Sequence, residues 1–272
     1  MTAPARAFFR EAGCGAAVVC IHSSASSSAQ WRPLMDHLAA RFRTLAADLY
    51  GSGKTPIWPG HRPLTLADEA ALLAPVFTWA GERYHLVGHS YGGAVALAAA
   101  LAEPGRVDSL VLFEPVLFSV LMAEDPTQPA AREIVAVRDE TVTALERGNP
   151  HASGARFVDY WMGAGTWAAM PEPRREALAT AMKTVKAEWD AAFREPTPLS
   201  AFAELDVPVL VITGSESPAS SRGVARLLTK TLPRVTAIEL EGVGHMGPMT
   251  HPDRVNALIE RYLADGQTTP TE

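Results

Sequence analysis

One serine stands where two segments of different type meet, and this junction constrains the fold more than any other feature of the chain. Residues 84–89 can form a buried strand, whereas residues 92–102 are rich in alanine and typical of a helix. Ser90 lies between them, with Gly88 two positions before it and Gly92 two positions after it. Because a side chain at either glycine would crowd the two segments, the pattern predicts a sharp turn that exposes the Ser90 hydroxyl.

The pattern around Ser90 favours nucleophilic catalysis. Gly-x-Ser-x-Gly between a strand and a helix is typical of a nucleophile elbow, although the same letters also occur by chance in loops. The backbone N–H groups at the start of the following helix carry partial positive charge close to the serine. A serine hydroxyl needs a neighbouring base, and histidine is the side chain whose pKa lies nearest neutrality. Of the eight histidines, His245 is best placed, on a loop that begins with glycines after the last predicted strand.

Strand and helix patterns alternate along most of the 272 residues, and several strands are apolar on both faces. Such strands suit a sheet that helices cover on both sides. We therefore predict an α/β fold with a mostly parallel central sheet. The alternation stops between residues 116 and 200, which are helical, and this segment is predicted to be an inserted cap. Residues 1–115 and 201–264 would form the core, and residues 265–272 a polar tail.

The composition excludes several classes of protein. The net charge is −6 and no basic run is present, which argues against binding to nucleic acid or to an anionic membrane. The longest apolar stretch, residues 92–102, is shorter than the roughly 20 residues of a membrane span. Residues 1–11 lack the long apolar region of a secretory signal, so we expect a cytoplasmic location. The expected partner is a small-molecule substrate, with no metal and no cofactor. The oligomeric state is open.

The predicted cap carries three of the six tryptophans of the chain, among them Trp161 and Trp167. Two interpretations are open. These side chains could pack between helices, or they could line an apolar substrate pocket.

The order of these elements and loops resembles the α/β-hydrolase superfamily over nearly the whole chain. The resemblance is carried by the serine turn at Ser90, the loop 22–31 after the first buried strand, the turn 48–53 and the late Gly244-His245 pair. It implies Ser90 as the nucleophile and His245 as the general base and then acid. It also implies that the N–H groups of Tyr91 and Ser24 stabilise an oxyanion. One departure is Ser23, since relatives usually have glycine after the loop histidine.

The acid that would orient His245 has two candidates. Most relatives carry an aspartate in the loop after the penultimate strand, but here Ser217 occupies that position and Glu216 precedes it. Glu114 ends the strand that follows the serine helix, where haloalkane-dehalogenase-like relatives keep a glutamate. Both candidates keep the order Ser, Glu, His, and Glu114 is preferred.

The resemblance implies a serine hydrolase, an enzyme of carboxylesterase type. It would cleave a small carboxylic ester, lactone or thioester through an acyl-enzyme intermediate. Dehalogenase and epoxide-hydrolase chemistry is disfavoured because those relatives attack with aspartate. The alternatives with the same three residues are carbon–carbon bond hydrolysis and cofactor-free perhydrolase activity. A non-catalytic small-molecule receptor of the same fold is a further alternative, and reaction with an organophosphonate would distinguish it.

Overall fold

A computed structural model describes residues 6–265 of the chain. The described strands form one seven-stranded sheet: β1 (Phe9–Ala12), β2 (Ala16–Ile21), β3 (Phe42–Ala47), β4 (Tyr84–His89), β5 (Val107–Phe113), β6 (Val209–Gly214) and β7 (Val235–Leu240). The described α-helices are α1 (Arg32–Leu38), α2 (Leu66–Ala80), α3 (Tyr91–Ala102), α4 (Phe118–Glu124), α5 (Pro129–Glu146), α6 (Pro150–Met162), α7 (Thr166–Ala169), α8 (Glu172–Arg194), α9 (Ala219–Thr231), α10 (Gly247–Thr250) and α11 (Pro252–Asp265).

The sheet is mostly parallel. Its strand order is β1-β3-β2-β4-β5-β6-β7, and only β1 runs antiparallel to its neighbour. All the parallel strands therefore end at the same edge. In sheets of this kind, ligands bind beyond the carboxyl ends of the strands, so this edge positions the candidate site.

Helices cover both faces of the sheet. Along β2, Val19 and Ile21 join one hydrophobic core, whereas Val18 and Cys20 join the other. This alternation follows from the two-residue period of a strand. The first core includes residues of α2 and α3, and the second includes residues of α1 and α11. The predicted α/β architecture is confirmed.

The chain between β5 and β6 contains α4 to α8 and no strand within the described residues, so the predicted helical insertion is confirmed. The longest of these helices, α8, packs along α4, α5 and α6 and also reaches α3. The exact division into core and cap stays a prediction. The predicted tail lies outside the described residues except for Asp265, which ends α11. Over residues 6–265, no helix combines the length and apolar character that a bilayer crossing requires.

Candidate active site

Ser90 lies in a strained turn between β4 and α3. Its φ of 56° and ψ of −119° are values that residues with side chains rarely adopt. A Cβ atom on Gly88 would lie 2.6 Å from the Gly92 carbonyl oxygen. A Cβ atom on Gly92 would lie 2.3 Å from the carbonyl oxygen of Ile21. Because these obstacles are backbone atoms, both positions require glycine, and the turn presents Ser90 at the carboxyl edge of the sheet.

The imidazole of His245 reaches Ser90 from the loop after β7. Its Nε2 atom lies 2.9 Å from Ser90 Oγ. The side chain is buried, and the ring of Trp161 lies against it with a centroid distance of 4.2 Å. The imidazole is therefore within the distance that proton transfer from the hydroxyl requires.

Glu114 follows β5 and meets the other side of the imidazole. Its Oε2 atom lies 2.6 Å from His245 Nδ1 and accepts a hydrogen bond of 2.9 Å from the Ser221 hydroxyl. Its Oε1 atom accepts a hydrogen bond of 2.7 Å from the Gly214 N–H. Glu216, the alternative acid, is exposed and forms no hydrogen bond with His245. The structure thus brings Glu114, and not Glu216, to the imidazole.

Two opposing effects set the protonation state of Glu114. Burial raises the pKa of this carboxyl group, but the hydrogen bond and charge of His245 lower it, as does the Gly214 N–H. The lowering effects prevail, so the pKa lies below its usual value and the group is ionised at neutral pH. An ionised Glu114 keeps the proton of neutral His245 on Nδ1. This leaves Nε2 free to accept a proton from Ser90.

The predicted oxyanion donors lie on either side of Ser90. Tyr91 is the first residue of α3, where backbone N–H groups have no acceptor within the helix. Ser24 lies after β2 and lines the same cavity as Ser90. The next residue, Ala25, has a φ of 53°, which turns the chain sharply at this point. Two N–H donors in such positions can stabilise a developing negative oxygen, and this role stays a prediction.

A buried network that the sequence analysis did not predict joins the Ser24 loop to the His245 loop. Gln30 Oε1 accepts hydrogen bonds from the Ser23 N–H (3.1 Å) and hydroxyl (2.9 Å). Gln30 Nε2 lies 3.0 Å from His89 Nδ1, and His89 Nε2 lies 2.8 Å from the His245 carbonyl oxygen. These partners assign the His89 proton to Nε2. Burial, together with the charge of His245, sets the pKa of His89 well below its ordinary value, so the ring is neutral.

A cavity opens above Ser90 and His245, between the sheet edge and the inserted helices. Its volume is about 620 Å³, including the solvent at its mouth. Most of its lining is apolar, and among the described residues only Arg174 of α8 brings a permanent charge to it. The apolar lining residues include Val116, Phe157, Val158, Trp161, Met162, Met170, Leu178, Trp189, Met246 and Met249. The site therefore suits a substrate that is apolar around the reacting group.

The two tryptophans predicted as pocket residues have different positions. Trp161 lines the cavity above His245. Trp167 does not line it. Its ring packs on Gly154, where an added Cβ would lie 2.7 Å from the indole, and its backbone N–H donates a hydrogen bond to Asp159 Oδ1. For Trp167 the pocket prediction is wrong, since α7 turns this side chain back onto α6.

No group of three or more histidine, cysteine, aspartate or glutamate side chains in residues 6–265 is arranged to hold a metal ion.

Comparison with known proteins gives the family. Residues 18–258 match the model of the alpha/beta hydrolase family, and the chain belongs to that family. The predicted family is thus confirmed, as is the prediction of a hydrolase enzyme at the level of the family.

Several relatives match over almost their full length. A pimeloyl-[acyl-carrier protein] methyl ester esterase of Aeromonas hydrophila is 28% identical over 92% of this chain and 96% of its own. A (E)-2-((N-methylformamido)methylene)succinate hydrolase of Acinetobacter baylyi is 24% identical over 97% of this chain and 95% of its own. The solved structure of a thermophilic esterase from Thermogutta terrifontis, with malate bound, superposes with a TM-score of 0.74. It is 25% identical and covers 96% of this chain and 94% of that one.

Proposed function

We propose that this protein hydrolyses a carboxylic ester through an acyl-enzyme intermediate on Ser90. The proposal is supported above all by the chain of hydrogen bonds from Ser90 through His245 to Glu114. These three groups come from separate strand ends and are all buried at one edge of the sheet. Relatives that are named as esterases support the ester as the bond that is cleaved.

In the first half of the reaction, Ser90 Oγ attacks the ester carbonyl carbon while His245 Nε2 takes the hydroxyl proton. The ionised Glu114 stabilises the imidazolium that forms. The negative oxygen of the tetrahedral intermediate accepts hydrogen bonds from the N–H groups of Tyr91 and Ser24. The intermediate collapses, and the alcohol leaves with the proton from His245.

In the second half, water replaces the alcohol. His245 takes a proton from the water, and the resulting nucleophile attacks the acyl carbon on Ser90. The carboxylic acid product then leaves, and Ser90 recovers its proton. Carbon–carbon bond hydrolysis and perhydrolase activity use the same groups, but no observation at this site favours either of them.

The test is to treat the protein with a fluorophosphonate, locate the adduct by peptide mapping, and assay hydrolysis of p-nitrophenyl acetate. We expect the adduct on Ser90, and we expect Ser90→Ala to lose both the adduct and the hydrolysis. If the wild-type protein shows neither, the proposal fails and the receptor alternative is favoured.

We further propose that the ester carries an anionic group at a distance from the reacting carbonyl. Arg174 supports this, because it is the one permanent charge in the apolar lining and no ion pair in residues 6–265 neutralises it. A guanidinium can form paired hydrogen bonds with a carboxylate or a phosphate. Two of the relatives support an anionic ligand, since one is named as the hydrolase of a succinate and the other has malate bound in its structure.

A further inference from the structure

A cluster of polar side chains is buried directly behind the predicted oxyanion donors. It comprises Glu188 of α8, Glu69 of α2, Tyr91 of α3 and the hydroxyl of Ser24. The side chains of Glu188, Glu69 and Tyr91 are fully buried. We define these four groups as the buried acid cluster. It joins the inserted helices to the core at the point where an oxyanion would form.

Most polar atoms of this cluster have no hydrogen-bond partner in the described part of the protein. Glu69 Oε2 accepts a hydrogen bond of 3.2 Å from the Tyr50 N–H. The other oxygen of Glu69, both oxygens of Glu188, the Tyr91 hydroxyl and the Ser24 hydroxyl have no hydrogen bond of ordinary geometry within the described chain. Buried polar groups without partners are rare because they cost free energy. Five such atoms in the buried acid cluster indicate that the cluster is retained for function.

Both predicted oxyanion residues contribute their side chains to the cluster. The Ser24 hydroxyl faces the Glu188 carboxyl, and the field of Glu188 also reaches the Tyr91 hydroxyl. The backbone N–H groups of the same two residues are the predicted oxyanion donors. Glu188 therefore lies beside the Ser24 hydroxyl, and its charge acts on the Tyr91 hydroxyl, without Glu188 lining the cavity itself.

The charge state of the cluster favours neutral carboxyl groups. Burial raises the pKa of Glu188 to about 7, and the Ser24 hydroxyl opposes this shift. Burial also raises the pKa of Glu69 well above its usual value, and the charges of Glu188 and Asp68 add to the effect. The groups whose fields act on Tyr91 are Glu69, Glu188, Asp68 and Glu195, all of them acidic. The helices α4, α5 and α6, which pack along α8, contribute no group that shifts the pKa of Glu188.

We propose that Glu188 is a positioning residue for the oxyanion donors, active in its neutral form and inactivating when it ionises. The neutral carboxyl group lies against the Ser24 hydroxyl without placing charge near the reacting carbonyl. A buried carboxylate there would repel the negative oxygen of the tetrahedral intermediate across a medium of low polarity. The proposal rests on the proposed function of Ser90.

The test is the pH dependence of kcat for wild type and Glu188→Gln, measured with a neutral ester. In the wild type, kcat should be highest at pH values where Glu188 is neutral. On the alkaline side it should fall about tenfold for each pH unit above the pKa of Glu188. Glu188→Gln keeps a neutral side chain of the same shape, so the alkaline decrease should disappear while KM remains. Glu172→Gln, an exposed glutamate on the same helix, is the matched control and should keep the wild-type profile.

A second variant tests whether the effect acts through Ser24. Because the Ser24 hydroxyl lowers the pKa of Glu188, Ser24→Ala should move the alkaline decrease to higher pH. This substitution leaves the Ser24 backbone N–H in place. The proposal would be overturned if the alkaline decrease of kcat stayed at the same pH in Ser24→Ala. It would also be overturned if the decrease persisted in Glu188→Gln.

Two further measurements separate this proposal from others. Fluorophosphonate labelling of Ser90 reports the proposed function by itself, so labelling with an unchanged pH profile in Glu188→Gln defeats only the positioning role. If Glu188→Gln does not fold, infrared spectroscopy of Ser90→Ala still follows the carboxyl groups. The protonated carboxyl band should weaken as the pH rises through neutrality while the contribution of Glu69 remains, and a band of constant intensity over this range would contradict the proposal.

Discussion

Three residues other than glycine have positive φ values in the described chain, and all three lie at the candidate site: Ala25, Ser90 and Glu114. Each such conformation costs roughly 1 to 3 kcal/mol, so the surrounding structure must hold it in place. For Ser90, the N–H donates to the Phe113 carbonyl oxygen at 3.0 Å. For Glu114, the N–H donates to the Ile212 carbonyl oxygen at 3.0 Å. The sheet itself therefore holds both residues in their strained conformations.

The first prediction concerns the acid. Glu114→Gln should lower kcat by about 10³- to 10⁴-fold, because loss of the carboxylate removes the partner that orients and stabilises the imidazole. Glu216→Gln should change kcat by less than about twofold, since this exposed side chain does not meet His245. Steady-state kinetics with one ester compares the two variants. A larger loss in Glu216→Gln would reverse the assignment.

The second prediction concerns Arg174. For the monomethyl ester of a dicarboxylic acid, Arg174→Gln should lower kcat/KM by about fivefold to tenfold, equivalent to about 1 kcal/mol. For the uncharged dimethyl ester, kcat/KM should stay unchanged. Arg175→Gln is the control, because this neighbour does not line the cavity. Equal losses for the charged and uncharged esters would show that Arg174 does not select for charge.

At the scale of elements, the glycines of the serine turn hold β4 against α3. Gly88→Ala should lower the free energy of unfolding by about 1 to 3 kcal/mol, because the new methyl group meets backbone atoms of Gly92 and Gly93 at 2.6 Å. Gly105→Ala is the matched control, since its methyl group would meet nothing within 4 Å. Urea unfolding measures both variants. Equal stabilities would contradict the close approach of strand and helix.

The sequence predicted the elements around the site better than it predicted their ends. The apolar runs at 84–89 and 235–240 predict strands, which the structure confirms, whereas the run over 43–49 predicts a strand to Leu49 but the strand ends at Ala47. It stops there because Asp48 turns the chain by accepting hydrogen bonds from the N–H groups of Ser28 and Lys54. The hydrogen bonds of Asp48 with Ser28 and Lys54 leave no recognisable pattern in the sequence, whereas the apolar Leu49 extends the strand pattern.

Helix α9 shows a similar limit. The helical pattern over residues 224–232 predicts a helix that starts at Val224, but the helix begins at Ala219. The serines at its start are typical of a loop, and Ser221 enters the helix because its hydroxyl meets the buried carboxylate of Glu114. Contacts between residues so far apart leave no periodic signal. The sequence analysis missed Glu188 for the same reason, because its neighbour Ser24 is distant in the sequence.

For the whole molecule, the buried acid cluster predicts how stability depends on pH. Burial raises the pKa of Glu188 from 4.5 to about 7 in the folded state. The folded state therefore keeps its proton where the unfolded chain loses it. The stabilisation is complete below the unfolded pKa and decreases as the pH rises, until it is lost at about pH 7. The total effect of this one group is about 3 kcal/mol.

The measurement is urea unfolding of wild type and Glu188→Gln across this pH range. The wild type should lose stability steadily toward neutrality, and the variant should show a smaller slope because its side chain does not ionise. Glu69, whose pKa is also raised, should keep some slope in the variant. Identical slopes in the two proteins would mean that Glu188 has the same pKa in the folded and unfolded states.

The central claim is that the Ser90 hydroxyl, activated by His245, forms a covalent bond with the acyl group of an ester. The most direct measurement is acid quenching during turnover of p-nitrophenyl acetate, followed by mass spectrometry of the peptide that contains Ser90. We predict one acetyl group on Ser90 in the wild type and none in His245→Ala at the same reaction time. Hydrolysis that proceeds at the wild-type rate without acetyl-Ser90, or that persists in Ser90→Ala, would contradict the account.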